Sequence, residues 1–204
     1  MITAENLSYT YPQNDAPTLR SLSFHIPEGS LACILGNNGS GKSTLLHILA
    51  GLLKPQGDLR IMGHKLPEEA NLARGQLAFL PQEPDLYILG STVREDLFLS
   101  FKKDDSAARA RAEELAARFG LTALMEKFTH TLSHGEKRKL CLASALAKAP
   151  RLLLMDEPYA GLDAPGISEL QRIIADNHTQ GITQVISLHN PELLPLPAEV
   201  SLNL

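Results

Sequence analysis

The chain has 204 residues, 44% of them hydrophobic, and a formal net charge of -4. That length holds one domain with a full hydrophobic core and room for an attached subdomain. The mildly acidic balance argues against nucleic acid as the main partner, because a phosphate-backbone binder usually carries a net basic face.

Residues 1–6 lack a basic patch followed by an apolar stretch, so no signal peptide is expected. No apolar run approaches the roughly 18 residues needed to cross a bilayer, so any membrane span would come from another polypeptide. Leu7, Tyr9 and Tyr11, then Leu22, Phe24 and Ile26, alternate with polar residues on either side of a turn-rich stretch, residues 12–17. A period of two predicts strands with one buried face, paired antiparallel. Leu31-Ala32-Cys33-Ile34-Leu35 is instead a continuous apolar run ending in glycine, and residues 151–155 and 184–188 are similar. Such runs suit parallel strands covered by helices on both sides. Between about Thr92 and Lys148 the pattern turns helical. Residues 107–119 place Ala108, Ala112, Leu115 and Phe119 on one face, and Arg109 with Glu113 on a solvated one. Cys33 and Cys141 sit among apolar residues and read as buried thiols in a reducing compartment. No C-x-x-C pair supports a structural zinc site.

Gly36-Asn37-Asn38-Gly39-Ser40-Gly41-Lys42-Ser43-Thr44 fits G-x-x-x-x-G-K-[ST], with a predicted strand before it and an apolar helix after it. Its glycines let backbone N–H groups converge on phosphate oxygens, and the helix adds its positive N-terminal end. Lys42 can reach the β- and γ-phosphates, and the Ser43 hydroxyl can ligate Mg²⁺. By itself this loop indicates a nucleoside triphosphate, since kinases, GTPases and transport ATPases all use it.

Met155-Asp156-Glu157 ends a leucine-rich strand. Asp156 is placed to hold magnesium, directly or through water, and Glu157 to accept a proton from attacking water. Leu132-Ser133-His134-Gly135-Glu136 reads locally as a capping box opening a helix to about Lys148. In this order the motifs resemble the ABC ATPase family, whose signature is Leu-Ser-Gly-Gly-Gln.

The resemblance covers nearly the whole chain. Tyr11 resembles the aromatic that stacks on adenine, and Gln82 the glutamine that meets both magnesium and the membrane partner. Residues 160–163, ending in Asp163, resemble the loop that communicates across a dimer, and His189 the switch histidine at the γ-phosphate. The fold implied is α/β: a P-loop NTPase core of mostly parallel sheet with flanking helices, an N-terminal antiparallel β part and an inserted helical subdomain. Residues 1–81 and 150–204 would form the core and residues 82–149 the helical subdomain of a single domain. The family mechanism implies two cassettes paired head to tail, each using MgATP. Ser133 and the N–H of Gly135 would then complete the partner's γ-phosphate cage.

The chain departs from the family pattern at His134, which replaces the signature's first glycine, and at Glu136, which replaces its glutamine. Glutamate keeps the capping acceptor, whereas an imidazole near partner phosphates would make pairing pH-sensitive. Tyr159 also departs from the common pattern, with no consequence drawn. The chain runs one strand past His189, so the closing hairpin and C-terminal extension of many relatives are expected to be absent or supplied elsewhere.

Residues 132–137, 159–163 and 91–96 are most similar to the energy-coupling-factor importers of vitamins, cobalt or nickel. That implies a peripheral protein on the cytoplasmic face of the cell membrane, with residues 83–93 touching an integral membrane subunit. Its second ATPase subunit would be a copy of itself or a paralogue. A haem-exporter or cytochrome-maturation ATPase also fits the compact length. A soluble ABC ATPase acting on DNA would need a coiled coil between phosphate loop and signature, where about ninety residues without sustained heptads lie here. A small-molecule kinase would need neither signature nor terminal histidine.

Overall fold

The computed structural model describes residues 1–99 and 105–204. Residues 100–104, inside the stretch read as helical, lie outside the described residues. The chain opens with strands β1 (Ile2–Tyr9) and β2 (Leu19–Ile26), then β3 (Leu31–Leu35) and helix α1 (Lys42–Leu49). Strands β4 (Gln56–Ile61) and β5 (His64–Leu66), helix α2 (Ala70–Arg74) and strand β6 (Leu77–Leu80) follow. Helices α3 (Val93–Leu99), α4 (Ser106–Arg118) and α5 (His134–Ala147) come next. Strand β7 (Leu152–Asp156), helix α6 (Ala164–Thr179), and strands β8 (Thr183–Leu188) and β9 (Val200–Asn203) complete the chain.

The strands form two sheets. One is four-stranded and antiparallel, in the order β2-β1-β4-β5; the other is five-stranded and parallel, in the order β6-β7-β8-β3-β9. The N-terminal pairing is irregular. Asn6 adopts φ 51°, where the pairing of β1 with both neighbours shifts, and the pairing with β2 shifts again between Leu7 and Tyr9; Tyr11 lies past the end of β1.

The parallel strands are apolar on both faces because both faces are covered. Leu31, Cys33, Leu153, Met155 and Ile186 pack with residues of α5 and α6, including Leu140 and Ile173. The intervening Ala32, Ile34, Leu152, Leu154 and Val185 pack with Leu45, Ile48 and Leu49 of α1 and with Ile2, Leu59 and Ile61 of the antiparallel sheet. Fully burying each such leucine or isoleucine contributes about 1.5–3 kcal/mol, which holds the central strands in one register.

Local signals set the helix starts. The Asp105 side chain accepts from Ala108 N–H ahead of α4, and Asp163 accepts from Gly166 N–H ahead of α6. The Arg109 guanidinium lies 5.3 Å over the Phe98 ring, and Arg111 Nη1 donates to the Ala147 carbonyl at 3.3 Å. Arg109, Arg111 and Glu113 are exposed, so the solvated face expected for α4 is present, and two of its arginines also tie the helix to its neighbours. Among the described residues no helix is long and apolar enough to cross a membrane.

Register carries this architecture to the site. Leu35 of β3 aligns with Leu188 of β8, and Ser187 of β8 aligns with Asp156 of β7. The carboxyl ends of three adjacent strands are thus flush, and the residues that follow them, Gly36, Glu157 and His189, emerge together. Open parallel sheets bind ligands at that edge.

Candidate functional site

The loop between β3 and α1 needs its glycines for steric reasons. Gly41 adopts φ +105°, and a Cβ there would lie 2.7 Å from Leu19 Cδ2. Lys42 opens α1, yet its side chain runs back into the loop, where Nζ donates to the carbonyls of Gly36 at 2.9 Å and Asn37 at 3.2 Å. The ammonium also stands 3.6 Å from Glu157 Oε1, with the lysine side chain 5% exposed. A mostly desolvated cation held among loop carbonyls and one carboxylate is placed to exchange them for phosphate oxygens.

At the end of β7 the two acids face different surroundings. Asp156 is buried, and its Oδ1 accepts from the Ser187 hydroxyl at 2.5 Å. Glu157 turns outward with φ +43°, its N–H donating to Ser187 Oγ at 2.9 Å, and its carboxylate lies 2.7 Å from His189 Nε2. One buried hydroxyl therefore holds both acids, donating to the first and accepting from the backbone of the second. Glu157 in turn bridges Lys42 and His189.

A cleft of about 480 Å³ opens beside these groups. Tyr11, Asn38, Gly39, Gly41, Lys42, Ser43, Thr44, Gln82 and Glu157 line it, joined by Asn14 and Thr18, which sequence reasoning passed over. The Tyr11 hydroxyl lies 3.1 Å from Thr44 Oγ1, and its ring meets Tyr9 edge-on at 4.9 Å, so the aromatic is fixed at the cleft's rim. Gly36, Asn37 and Ser40 form the floor of the loop: the Ser40 N–H donates to the Asn37 carbonyl at 3.2 Å, and the first two carbonyls hold Lys42. Asp156 lies behind Ser187, and His189 joins the group through Glu157.

Ser133, Gly135 and Asp163 do not line this cleft. Ser133 caps α5 in a complete capping box: its Oγ accepts from Glu136 N–H at 3.2 Å, and Glu136 Oε2 accepts from Ser133 N–H at 2.6 Å. The Ser133 backbone N–H foremost, helped by Lys127, holds the Glu136 carboxyl below its usual range. Asp163 caps α6 through Gly166. The loop before Asp163 nevertheless meets the start of α5. Gly161, at φ +72°, sits under the His134 ring, where a Cβ would lie 2.5 Å from His134 Cδ2. The imidazole thus occupies the space that a glycine at this loop position leaves open.

Sequence reasoning assigned no role to Ser187 or to Arg138. Ser187 had a visible signal, a single hydroxyl between the apolar Ile186 and Leu188 in an otherwise buried strand. Its partners depend on β7–β8 register, which one segment cannot reveal. Arg138 is fully buried and donates through Nη2 to the Gln82 carbonyl at 2.5 Å, a contact across 56 residues.

Comparison with known proteins agrees with this geometry. Residues 19–160 match the family model described as ABC transporter. The cobalt import ATP-binding protein CbiO of Rhodobacter capsulatus is 36% identical over 201 residues, which span 95% of this chain and 71% of that protein. The energy-coupling factor transporter ATP-binding protein EcfA3 of Clostridium perfringens is 30% identical over 204 residues, 96% of this chain and 71% of the relative. The structure of cbiO1 from Clostridium perfringens, part of the ABC transporter complex cbiONQ, superposes with a TM-score of 0.81 at 30% identity, covering 97% of this chain and 82% of that one. The ATP-binding cassette MJ0796, solved as a post-hydrolysis dimer bound to ADP and Pi, gives 0.84 at 27% identity over 95% of this chain and 90% of its own. With a family match over most of its length and relatives this similar across nearly all of it, the chain belongs to the ABC transporter family, as one of its ATP-binding, ATP-hydrolysing subunits.

Proposed function

We propose that this chain powers an importer of the energy-coupling-factor type, and that its nucleotide site is finished only by a second cassette. One observation carries the reading: the phosphate loop and Glu157 line one cleft, with His189 joined to Glu157, while Ser133 and Gly135 stand at a helix start that does not line it. The capping geometry suits a contact in trans. Ser133 Oγ is fixed as an acceptor for Glu136 N–H, which leaves its own proton to donate to a γ-phosphate of the facing cassette.

Within the cleft, Lys42 and the loop N–H groups would hold the β- and γ-phosphates, and Tyr11 would stack on adenine. Ser43, Gln82 and Asp156 form an all-oxygen donor set, with Ser43 and Gln82 facing the cleft and Asp156 behind them. Such hard oxygen donors fit Mg²⁺, which binds few protein groups and takes the rest of its shell from water and phosphate. When bound, the ion supplies charge neutralisation on the β- and γ-oxygens. Glu157 would accept the proton of the attacking water as its oxygen bonds to the γ-phosphorus. The bond from that phosphorus to the bridging oxygen breaks, and ADP leaves with the electron pair. His189, 2.7 Å from Glu157, would orient the carboxylate and contact the γ-phosphate. Asp163 and the loop before it, seated against His134, would relay the state of one site to the other.

The relatives' names extend the reading to cargo and place. CbiO serves cobalt import and EcfA3 an energy-coupling factor transporter, so the cargo here is assigned as a metal ion or a vitamin, bound by membrane subunits. The chain would sit on the cytoplasmic face of the membrane, with residues 82–149 as a helical unit on the core of residues 1–81 and 150–204. The surface for the membrane subunit is supported by Leu86 and Leu89, 75% and 76% exposed, beside a groove of about 390 Å³ that includes Leu52, Phe79, Pro81 and Tyr87. Exposed leucines at the mouth of an apolar groove gain by covering.

Complementation tests the shared site. Lys42→Ala disables the loop and Ser133→Arg the signature, so each variant alone is expected to be inactive. A mixed pair holds one intact composite site and should regain turnover. Mixed dimers as inactive as either parent would refute the arrangement for two copies of this chain.

A further inference from the structure

Arg138 lies in the second turn of α5 and is the largest of the fully buried side chains. Among the described residues its guanidinium makes a single hydrogen bond, from Nη2 to the backbone carbonyl of Gln82 at 2.5 Å, and the buried Nε and Nη1 have no hydrogen-bond partner. Burial pulls this group below the ordinary arginine value, and Cys141, Glu83, Asp156 and Glu157 pull the other way. A buried cation so sparsely bonded is costly, and an apolar side chain of similar length would fill the space at lower cost. Packing alone therefore does not account for arginine here.

What the group holds does account for it. Gln82 lines the phosphate cleft with Lys42 and Glu157, and its main chain is grasped from behind by Arg138. The same helix grips the following segment at further points. Lys137 pairs with Asp85, Cys141 Sγ contacts the Pro84 carbonyl at 3.7 Å, and Ser144 donates at 3.3 Å to Asp96. Asp96 in turn accepts from Leu89 N–H at 2.8 Å. The stretch from Gln82 to Leu89 is hung from α5, whose first turn carries Ser133 and Gly135.

We propose that Arg138 is the positioning residue that sets Gln82 in the cleft. This rests on the reading of Gln82 as a participant in hydrolysis. Arg138 acts through the Gln82 main chain.

A double-mutant cycle with Arg138→Met, Arg138→Lys and Gln82→Ala tests the assignment, reading nucleotide affinity, kcat and melting temperature of the purified full-length chain with MgATP. Arg138→Met is expected to keep nucleotide affinity within about threefold while kcat falls about tenfold or more. Arg138→Lys, which keeps the charge and one donor, should lose only about threefold in kcat. The Arg138→Met/Gln82→Ala double variant should be no slower than Gln82→Ala alone. Wild-type kcat in Arg138→Met, a loss that multiplies with that of Gln82→Ala, or loss of nucleotide affinity in step with kcat would each overturn the proposal. Should Arg138→Met fail to fold, Arg138→Lys carries the same cycle: a loss shared with Gln82→Ala is expected, and wild-type kcat or a multiplying loss overturns the proposal. Gln82→Ala turning over at the wild-type rate would instead refute the reading of Gln82 itself.

Discussion

Ser187→Ala removes one buried oxygen and should disturb both acids at the end of β7. The Ser187 hydroxyl donates to Asp156 Oδ1 at 2.5 Å and accepts from Glu157 N–H at 2.9 Å. Ser187 is 0% exposed and Asp156 2%, so water cannot readily replace the bond between them, while the bond from the Glu157 N–H is partly buried. A hydrogen bond to a charged group contributes about 1.5–3 kcal/mol, and stranding a buried N–H costs about 1–3 kcal/mol. Together the change should destabilise the fold by about 2.5–6 kcal/mol. For a chain of this size each kcal/mol lowers Tm by about 2–4 °C, which places the expected drop at roughly 5–24 °C. Turnover should fall as well. Glu157 holds φ +43°, an uncommon conformation for a residue with a side chain, and its N–H bond to Ser187 helps maintain it. Differential scanning fluorimetry and a coupled-enzyme ATPase assay read the two effects. A Tm within about 2 °C of the wild type, together with full turnover, would refute the view that this hydroxyl organises the acids.

Glu157→Gln should retain ATP binding, stop turnover and trap a dimer on size-exclusion chromatography; hydrolysis at the wild-type rate would refute its role as the base. Lys42→Ala should weaken ATP binding by about tenfold or more, measured by titration with a fluorescent analogue, because it removes the cation held at the loop's centre. Gly161→Ala should lower Tm and turnover together, since the added Cβ would meet the His134 ring at 2.5 Å at φ +72°, whereas Gly161→Ala in a His134→Gly background should lose less. Burial pushes the Cys33 thiol up to about 11 and the Cys141 thiol up to about 12, from 9.0 in the unfolded chain. The folded state then keeps protons that the unfolded chain releases, so this contribution is whole below pH 9.0 and lost as pH rises toward 12. Cys33→Ala/Cys141→Ala should show a shallower loss of stability across that window in urea titrations at stepped pH.

Some of this molecule is written in short segments and some only in its register. The phosphate loop was legible because its glycines answer a local backbone demand, as Gly41 at φ +105° illustrates. The start of α5 was legible because a capping box is complete within Ser133 to Glu136. The all-apolar runs of β3, β7 and β8 declared a doubly covered sheet, which formed in parallel register. Strands β5 and β6 went unread because each is short, and β4 because Gln56–Ile61 mixes polar and apolar residues without clean alternation. The alternation of Leu7 and Tyr9 holds in β1, whereas Tyr11 lies beyond the strand's end at Tyr9. The roles of Ser187 and Arg138 were illegible for a different reason. Each acts on a residue far along the chain, 31 residues for Ser187 with Asp156 and 56 for Arg138 with Gln82. A hydroxyl in a strand or a cation in a helix acquires meaning only when folding supplies the partner.

The central claim is that groups from separate cassettes enclose one triphosphate. Cryo-electron microscopy of the Glu157→Gln chain with MgATP, as purified and in complex with its membrane subunits, tests that directly. The expected map places the Ser133 hydroxyl and Gly135 N–H of one cassette on the γ-phosphate that the other cassette holds with Lys42. A nucleotide wholly enclosed by one chain, with every Ser133 distant from it, would contradict the account.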